Sequence, residues 1–189
     1  MRAMHNIRFA AFNFCKPQDI FMIVDGDDEL LGRQVLKLFN ALFQAKKLYF
    51  MYTNFLSQSG RVGYSRPFPE RIIKQNTYRK YPFVTSHLRA FYTQLLLNIK
   101  EEDLKDEKGE YLRAANDVAI CIPVLEQAHT HVAYTPEITY FYNSNTGLNN
   151  HALRLKEQRS NDKKIRTHKK YEEVNLFAEK WYWKRFIYQ

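Results

Sequence analysis

The sequence has few of the features that mark secreted, membrane-spanning or repetitive proteins. Its 189 residues include only 2 cysteines, Cys15 and Cys121, which are too few for a disulfide framework and suit a reducing compartment. No Asn-x-Ser/Thr sequon occurs, and no apolar run approaches the ~20 residues that a transmembrane helix needs. Internal repeats are also absent. These absences predict a cytoplasmic protein built around one packed domain.

Charge of one sign dominates instead. The chain has 29 Lys and Arg against 20 acids, a net charge of +9, together with 13 Tyr and 14 Phe. This composition fits a nucleic-acid binder, a nucleotide-binding enzyme or a membrane-surface protein. Residues 152–189 hold 11 basic and 5 acidic residues, or +6, which leaves only +3 on residues 1–151. We therefore expect no nucleic acid at the domain itself, while a peripheral membrane contact of the basic tail stays open.

Hydrophobic periodicity predicts an α/β domain of alternating helices and strands. Helices are predicted over residues 3–14, 31–43, 85–99 and 116–128, strands at 20–24, 47–55, HVAYT and ITYFYN, and loops over 57–70 and 101–110. The helix over 85–99 would begin at Thr85 or Ser86 and bury Leu88 and Phe91. Pro136 would separate the last two strands. Residues 152–189 are expected to form a basic, aromatic, helical C-terminal extension.

The first helix has an alternative interpretation. Residues 1–18 contain no acid, so the segment could pass for an amphipathic transit peptide. Its Ile7, Ala10, Ala11 and Phe14 also fit one face of a helix that packs on the core.

An acidic cluster, Asp25-Gly26-Asp27-Asp28, follows the apolar run IFMIV directly. Carboxylates at the carboxyl end of a buried strand lie where open α/β sheets bind ligands. Asp25 and Asp27 could direct both carboxylates at one Mg²⁺ or Mn²⁺, which would also contact substrate phosphates. The alternative is a turn in which Asp28 caps the following helix and no metal binds.

Several segments resemble a family 2 glycosyltransferase with the GT-A fold. They are, in chain order, IFMIVDGDDELLG, SGRVGYSRPFP, RKYPFVTSHLRAFY, AANDVAICIPVLEQA and TPEITYFYNSNTGLNNH. Their shared order constrains the match more than a lone Asp-x-Asp does. The resemblance implies a mixed sheet flanked by helices. It also implies transfer of a sugar from a nucleotide diphosphate sugar to an unknown glycan, lipid or protein acceptor, with inversion at the anomeric carbon.

The resemblance also implies roles for individual residues. Asp117 would be the general base that takes the proton of the acceptor hydroxyl, although an acid there is equally typical of a first helical turn. Mn²⁺ or Mg²⁺ would be held by Asp25 and Asp27, with His151 as a further metal ligand or diphosphate contact; a lone His is more often a surface or capping residue. The nucleotide-sugar contacts would be Asp25, Asp27, Asp28, Arg66, His87 and Arg89. The alternative for His87 and Arg89 is that they lie on the polar face of an amphipathic helix and contact no ligand.

The chain departs from the family at its start. Only 24 residues precede Asp25, whereas family members carry a nucleotide-binding half of several βα units there, and one βαβ unit alone takes about 30 residues. The resemblance thus implies an N-terminally truncated fold in which residues 20–24 lack neighbours and leave an exposed sheet edge. A fragment, a partner chain that supplies the missing half, or an inactive relative would each explain this. The alternative function is a non-catalytic protein whose basic tail binds nucleic acid or an anionic membrane surface.

Overall fold

The computed structural model describes residues 3–144 and 154–176, in which helices flank a five-stranded mixed sheet, so the chain is an α/β protein. The helices are α1 (Ala3–Phe14), α2 (Val35–Lys46), α3 (Glu70–Lys74), α4 (Thr93–Leu97), α5 (Asn116–Ala128) and α6 (Leu155–Thr167). The strands are β1 (Ile20–Ile23), β2 (Glu29–Leu30), β3 (Phe50–Ser57), β4 (Arg89–Tyr92) and β5 (Val132–Tyr142). Two short 3-10 turns cover Tyr78–Lys80 and Glu101–Leu104. None of these helices is both long and apolar enough to cross a lipid bilayer.

The strands lie in the order β1-β4-β3-β5-β2. Strands β3 and β5 run parallel, and the other neighbouring pairs are antiparallel. Strand β1 lies at one edge, where Ile20–Ile23 pair with β4, and no strand among the described residues pairs with its other side. The segment IFMIV therefore has one neighbouring strand where none was expected.

Residues 85–99 do not form the single helix that their periodicity predicts. Residues 89–92 form β4, between β1 and β3, and only the five residues that follow are helical. All four residues of β4 are buried. The ring of Phe91 stacks between Phe21 and Phe50, with centroid distances of 5.9 and 6.1 Å. A strand buried on both faces has a nearly continuous apolar run, which helical spacing also matches.

Pro136 does not separate two strands, because β5 continues through it as one strand of 11 residues. Tyr52 pairs with Tyr134 and Asn54 pairs with Ile138, so residues 135–137 lie opposite Thr53 alone. A proline in such a bulge interrupts no regular ladder bond. The register irregularity therefore explains how a long strand accommodates the proline.

The other predicted boundaries vary in accuracy. The helices over 3–14 and 116–128 are confirmed, and the loop predicted over 57–70 is observed at residues 58–69, between β3 and α3. Helix α2 begins only at Val35, because residues 29–30 pair with β5 as β2. On α1 the buried residues are Met4 and Ala11. Phe14 was predicted to lie on the face that packs on the core, but it is 76% exposed.

The described part of the C-terminal extension packs on the domain. Ile165 of α6 and Leu176 are buried in the same core as α5. Beneath α6, Arg79 forms a two-pronged ion pair with the buried carboxylate of Glu126, with N–O distances of 2.7 and 2.6 Å. The aromatic end of the extension, WYWKRFIYQ, lies in residues 177–189, outside the described residues.

Candidate functional site

Three separate parts of the chain meet in one pocket of about 630 Å³. The turn after β1 contributes Asp25 and Asp27, the start of β4 contributes His87 and Arg89, and the first turn of α5 contributes Asp117. The first two of these segments meet because β1 and β4 are antiparallel neighbours, so the end of β1 lies beside the start of β4. Five of the residues predicted to form the site therefore line one pocket.

The turn after β1 is fixed by a buried tyrosine of β5. The Tyr140 hydroxyl donates to Asp28 Oδ2 at 2.7 Å and accepts from the Asp25 amide at 3.1 Å. The Asn143 amide donates to Asp28 Oδ1 at 2.8 Å. Asp28 is thus bound to β5 and does not line the pocket. The alternative that Asp28 caps the next helix is wrong, since α2 begins after Gln34.

Asp25 has an environment that disfavours its charge. Burial raises the pKa of the Asp25 carboxyl, and Arg89 opposes this shift, but the neighbouring carboxylates of Asp28, Asp27 and Asp117 raise the pKa further. Like charges crowded in a half-enclosed site repel one another unless a cation or hydrogen-bond donors offset them. A divalent cation at Asp25 would relieve this repulsion.

The donor set for a metal is small but suitable. Asp25 and Asp27 both line the pocket and offer carboxylate oxygens, which Mg²⁺ and Mn²⁺ prefer. Among residues 3–144 and 154–176, no group of three or more His, Cys, Asp or Glu side chains is arranged to hold a metal. His151, the predicted third ligand, lies outside the described residues. Mg²⁺ commonly binds through one or two carboxylates plus water and substrate phosphates, so two aspartates fit it.

Arg89 is a buried cation at the centre of the site. Its side chain is 5% exposed, and its Nη1 lies 3.5 Å from Asp117 Oδ2. Its Nη2 lies 3.2 Å from His87 Nδ1. Burial alone would lower the pKa of Arg89, but Cys121 and Asp117 raise it, so the guanidinium stays charged. Neither Nε nor Nη1 has a hydrogen-bond partner among the described residues.

Asp117 lies in the first turn of α5, as both interpretations of its role require. Its Oδ1 accepts a hydrogen bond from the Val118 amide at 2.9 Å, and its Oδ2 faces Arg89. The side chain is 32% exposed, so the carboxylate can be reached from the pocket. The turn before α5 brings Ala115 to φ +62°, a left-handed conformation, which places the acid at the helix start.

His87 lies among aromatic rings. Its ring stacks on those of Tyr140 and Tyr142, with distances between ring centroids of 4.6 and 5.8 Å, and the ring of Phe55 meets it edge-on with a centroid distance of 6.0 Å. Burial, and secondly the charge of Arg89, hold the pKa of His87 well below its usual range. The interpretation of residues 87 and 89 as the polar face of a helix is wrong, because Arg89 begins a strand.

Arg66 does not join the pocket. It is exposed in the loop before α3, and the described contact is made by its carbonyl, which accepts from the Tyr52 hydroxyl at 2.6 Å. Another residue of the same loop does approach the site. Burial and the carboxylate of Asp117 raise the pKa of Tyr64, while a hydrogen bond with Ser86 lowers it. The Tyr64 residue as a whole is nevertheless 54% exposed.

The sequence did not point to several residues of the site. Arg113 and Asn116 line the pocket from the α5 side, and Gln158 lines it from α6. Cys121 lies one helical turn after Asp117 and contributes to the charge environment of Arg89. No local motif marks these residues, because their proximity depends on how α5, α6 and β4 pack.

No protein-family model matches the chain, and no curated protein matches it. The chemistry of the pocket must therefore be inferred from its own residues.

Proposed function

We propose that the chain is a metal-dependent inverting glycosyltransferase that takes its sugar from a nucleotide diphosphate sugar. The observation that carries the proposal is the pocket itself, in which Asp25 and Asp27 lie with Arg89 and Asp117. The reaction needs a base on the acceptor side and positive charge beside the leaving diphosphate. The arrangement offers a carboxylate for the first task and a pair of metal-binding carboxylates with a buried cation for the second.

Asp117 is the residue suited to act as the base. Its Oδ1 is held by the Val118 amide, and its Oδ2 lies beside Arg89. In the proposed step, the acceptor hydroxyl oxygen bonds to the anomeric carbon while the bond from that carbon to the diphosphate oxygen breaks. The hydroxyl proton passes to the Asp117 carboxylate, and the bonding electrons leave with the diphosphate.

Asp25 and Asp27 would hold Mn²⁺ or Mg²⁺ against the diphosphate. A bound cation would supply charge neutralisation to the departing phosphate oxygens. Tyr140 keeps this turn in place through the Asp25 amide and Asp28. We place the activity in the cytoplasm, a reducing compartment, because Cys15 and Cys121 are both free thiols.

The site is tested by following thermal stability while Mn²⁺ and a panel of nucleoside diphosphates are added. A ligand at 100 times its Kd stabilises a protein by about 2.7 kcal/mol, which for a chain of this size raises Tm by roughly 5–11 °C. We expect the Asp25→Ala/Asp27→Ala double variant to lose this shift. The matched control, Glu107→Ala/Glu137→Ala, removes the same charge at two exposed positions outside the pocket and should keep it.

The same titration separates the transferase from polyanion binding. The basic tail offers the exposed lysines Lys163, Lys169 and Lys170, but Arg166 is engaged by Asp162 and by two backbone carbonyls of the domain. Salt-sensitive binding of heparin or RNA that is equal in wild type and the Asp25→Ala/Asp27→Ala variant, without metal-dependent stabilisation by any nucleoside diphosphate, would refute the transferase in favour of a polyanion-binding protein.

A further inference from the structure

A buried cation and a half-buried imidazole meet at the wall of the pocket. Arg89 Nη2 lies 3.2 Å from His87 Nδ1, within hydrogen-bonding distance. The Arg89 side chain is 5% exposed, so water does not replace this contact easily. The His87 ring lines the pocket beyond it.

The chemistry of the two side chains decides which atom donates. A guanidinium has only N–H donors and no lone pair that could accept. His87 Nδ1 must therefore accept the bond, which is possible only when this nitrogen carries no proton. A neutral imidazole with an unprotonated Nδ1 carries its proton on Nε2.

The other groups around the ring do not change this assignment. Tyr140 and Tyr142 cover the ring from β5 and Phe55 contacts it from β3. The charged groups that line the same pocket are Asp25, Asp27, Asp117 and Arg113. The three carboxylates favour a protonated ring, but Arg89 is the charged group in direct contact with it. If the ring took a second proton on Nδ1, that N–H would face the N–H of Arg89 Nη2, and two donors would oppose each other.

We propose that Arg89 fixes His87 as a neutral imidazole protonated on Nε2, which donates a hydrogen bond to an oxygen of the ligand in this pocket. Nε2 makes no hydrogen bond within the described residues and is not among their enclosed, unpartnered atoms. The ligand contact rests on the proposed function, in which the oxygen belongs to the diphosphate. Arg89 is then a positioning residue, since it acts on the ligand through His87.

The tautomer is tested on the wild-type full-length chain. Long-range ¹H–¹⁵N NMR spectra of histidine-labelled protein, recorded from pH 5.5 to 8.0, report which ring nitrogen carries the proton, and the His87→Phe variant identifies the signal. We expect a protonated Nε2 and an unprotonated Nδ1 throughout this range. A proton on Nδ1, or a second protonation with a midpoint near the usual value of about 6.5, overturns the proposal.

Variants of Arg89 test the cause. Arg89→Met removes the charge and the N–H donor at similar volume, and we expect a tautomer protonated on Nδ1 to become detectable, because this nitrogen is no longer required to accept a hydrogen bond. The control Arg113→Met removes a pocket charge that does not contact His87, and should leave the spectrum unchanged. Arg89→Lys keeps a donor-only cation and should keep the Nε2 tautomer, so it decides the question should Arg89→Met not fold. An unchanged His87 spectrum in folded Arg89→Met overturns the role of Arg89.

The ligand contact is tested by calorimetric titration of a nucleoside diphosphate in the presence of Mn²⁺. His87→Phe keeps a ring between the tyrosines and loses the donor, so we expect affinity to fall roughly tenfold or more. His87→Gln carries an amide N–H near the position of Nε2 and should restore most of it. Equal affinity in all three proteins overturns the contact. Absence of binding in wild type overturns the proposed function and the contact together, while the spectra decide the tautomer separately.

Discussion

The ion pair between Arg79 and Glu126 gives the clearest test of how the C-terminal segment is held. The two side chains are 10% and 1% exposed, and both Glu126 oxygens accept from Arg79. Glu126 Oε2 also accepts from the Tyr171 amide at 3.1 Å, and Arg79 Nη1 donates to the Ile165 carbonyl of α6. One pair therefore links α5, the 3-10 turn at residues 78–80, and the C-terminal segment.

Arg79→Met leaves the Glu126 carboxylate buried without its charged partner. Removing one member of a buried ion pair costs about 3–5 kcal/mol. For a chain of this size such a loss lowers Tm by roughly 6–20 °C. Because the Ile165 carbonyl loses its donor as well, we expect faster amide hydrogen exchange over residues 155–167 than in wild type.

The double variant Arg79→Met/Glu126→Met removes the unpaired charge. Apolar replacements of a buried pair are often neutral, so it should recover to within about 2 kcal/mol of wild type, with the Tyr171 amide still lacking its acceptor. Lys74→Ala is the matched control, because Lys74 and Glu70 form an ion pair with side chains that are 69% and 80% exposed. We expect no measurable change in the control.

Urea denaturation gives the free energies of unfolding, and hydrogen exchange with mass spectrometry gives the local effect. The reasoning fails if the free energy of unfolding of Arg79→Met lies within about 1 kcal/mol of the wild-type value, since a buried carboxylate without its partner should destabilise the fold by more than that. It also fails if the double variant is less stable than the single variant.

The remaining predictions concern the packing around the site. Gly63→Ala should cost about 1–3 kcal/mol in urea denaturation, because a methyl group there collides with packed side chains of β3, whereas Gly26→Ala meets open space and should cost nothing measurable. Burial raises the pKa of Cys121 to about 11, so at pH 8 a thiol reagent should label Cys15 and spare Cys121 until the chain unfolds. Because the folded chain holds that proton more tightly than the unfolded chain, whose value is about 8.5, this contribution to stability should be lost as pH rises from about 8.5 to 11. Tyr140→Phe removes the hydroxyl that fixes two aspartates of the turn after β1, and calorimetry should show weaker binding of Mn²⁺ with a nucleoside diphosphate and about 1–3 kcal/mol less stability.

Local pattern predicted the helices well where one face or the whole element is apolar over several turns. Helix α5 spans 116–128 as expected, because its apolar run is long enough to exclude a strand. The same reasoning failed at residues 89–92, where a strand buried on both faces carries apolar residues at helical spacing. The prediction that Pro136 separates two strands was wrong for a related reason, since only the register between β3 and β5 shows that a bulge accommodates the proline.

The residues of the site also fall into those that the sequence indicated and those whose contacts only the tertiary structure shows. The sequence pointed to Asp25 and Asp27 by their place after an apolar strand, and to Asp117 by the family resemblance, and the structure brings all three to one pocket. It also grouped Asp28 with them, although Tyr140, more than a hundred residues later in the chain, turns that carboxylate towards β5. No local signal could have shown this, because the contact joins a turn and a strand that are distant in sequence.

The sequence by itself determined the α/β class, the acidic turn after an apolar strand and the absence of a long apolar segment, since these follow from short-range periodicity and composition. Tertiary structure alone decided that Arg89 is buried between His87 and Asp117. A guanidinium in a strand of unknown neighbours has no defined charge environment. Its partners are set by which strands pair and which helix packs on them, and those choices depend on contacts across the whole chain.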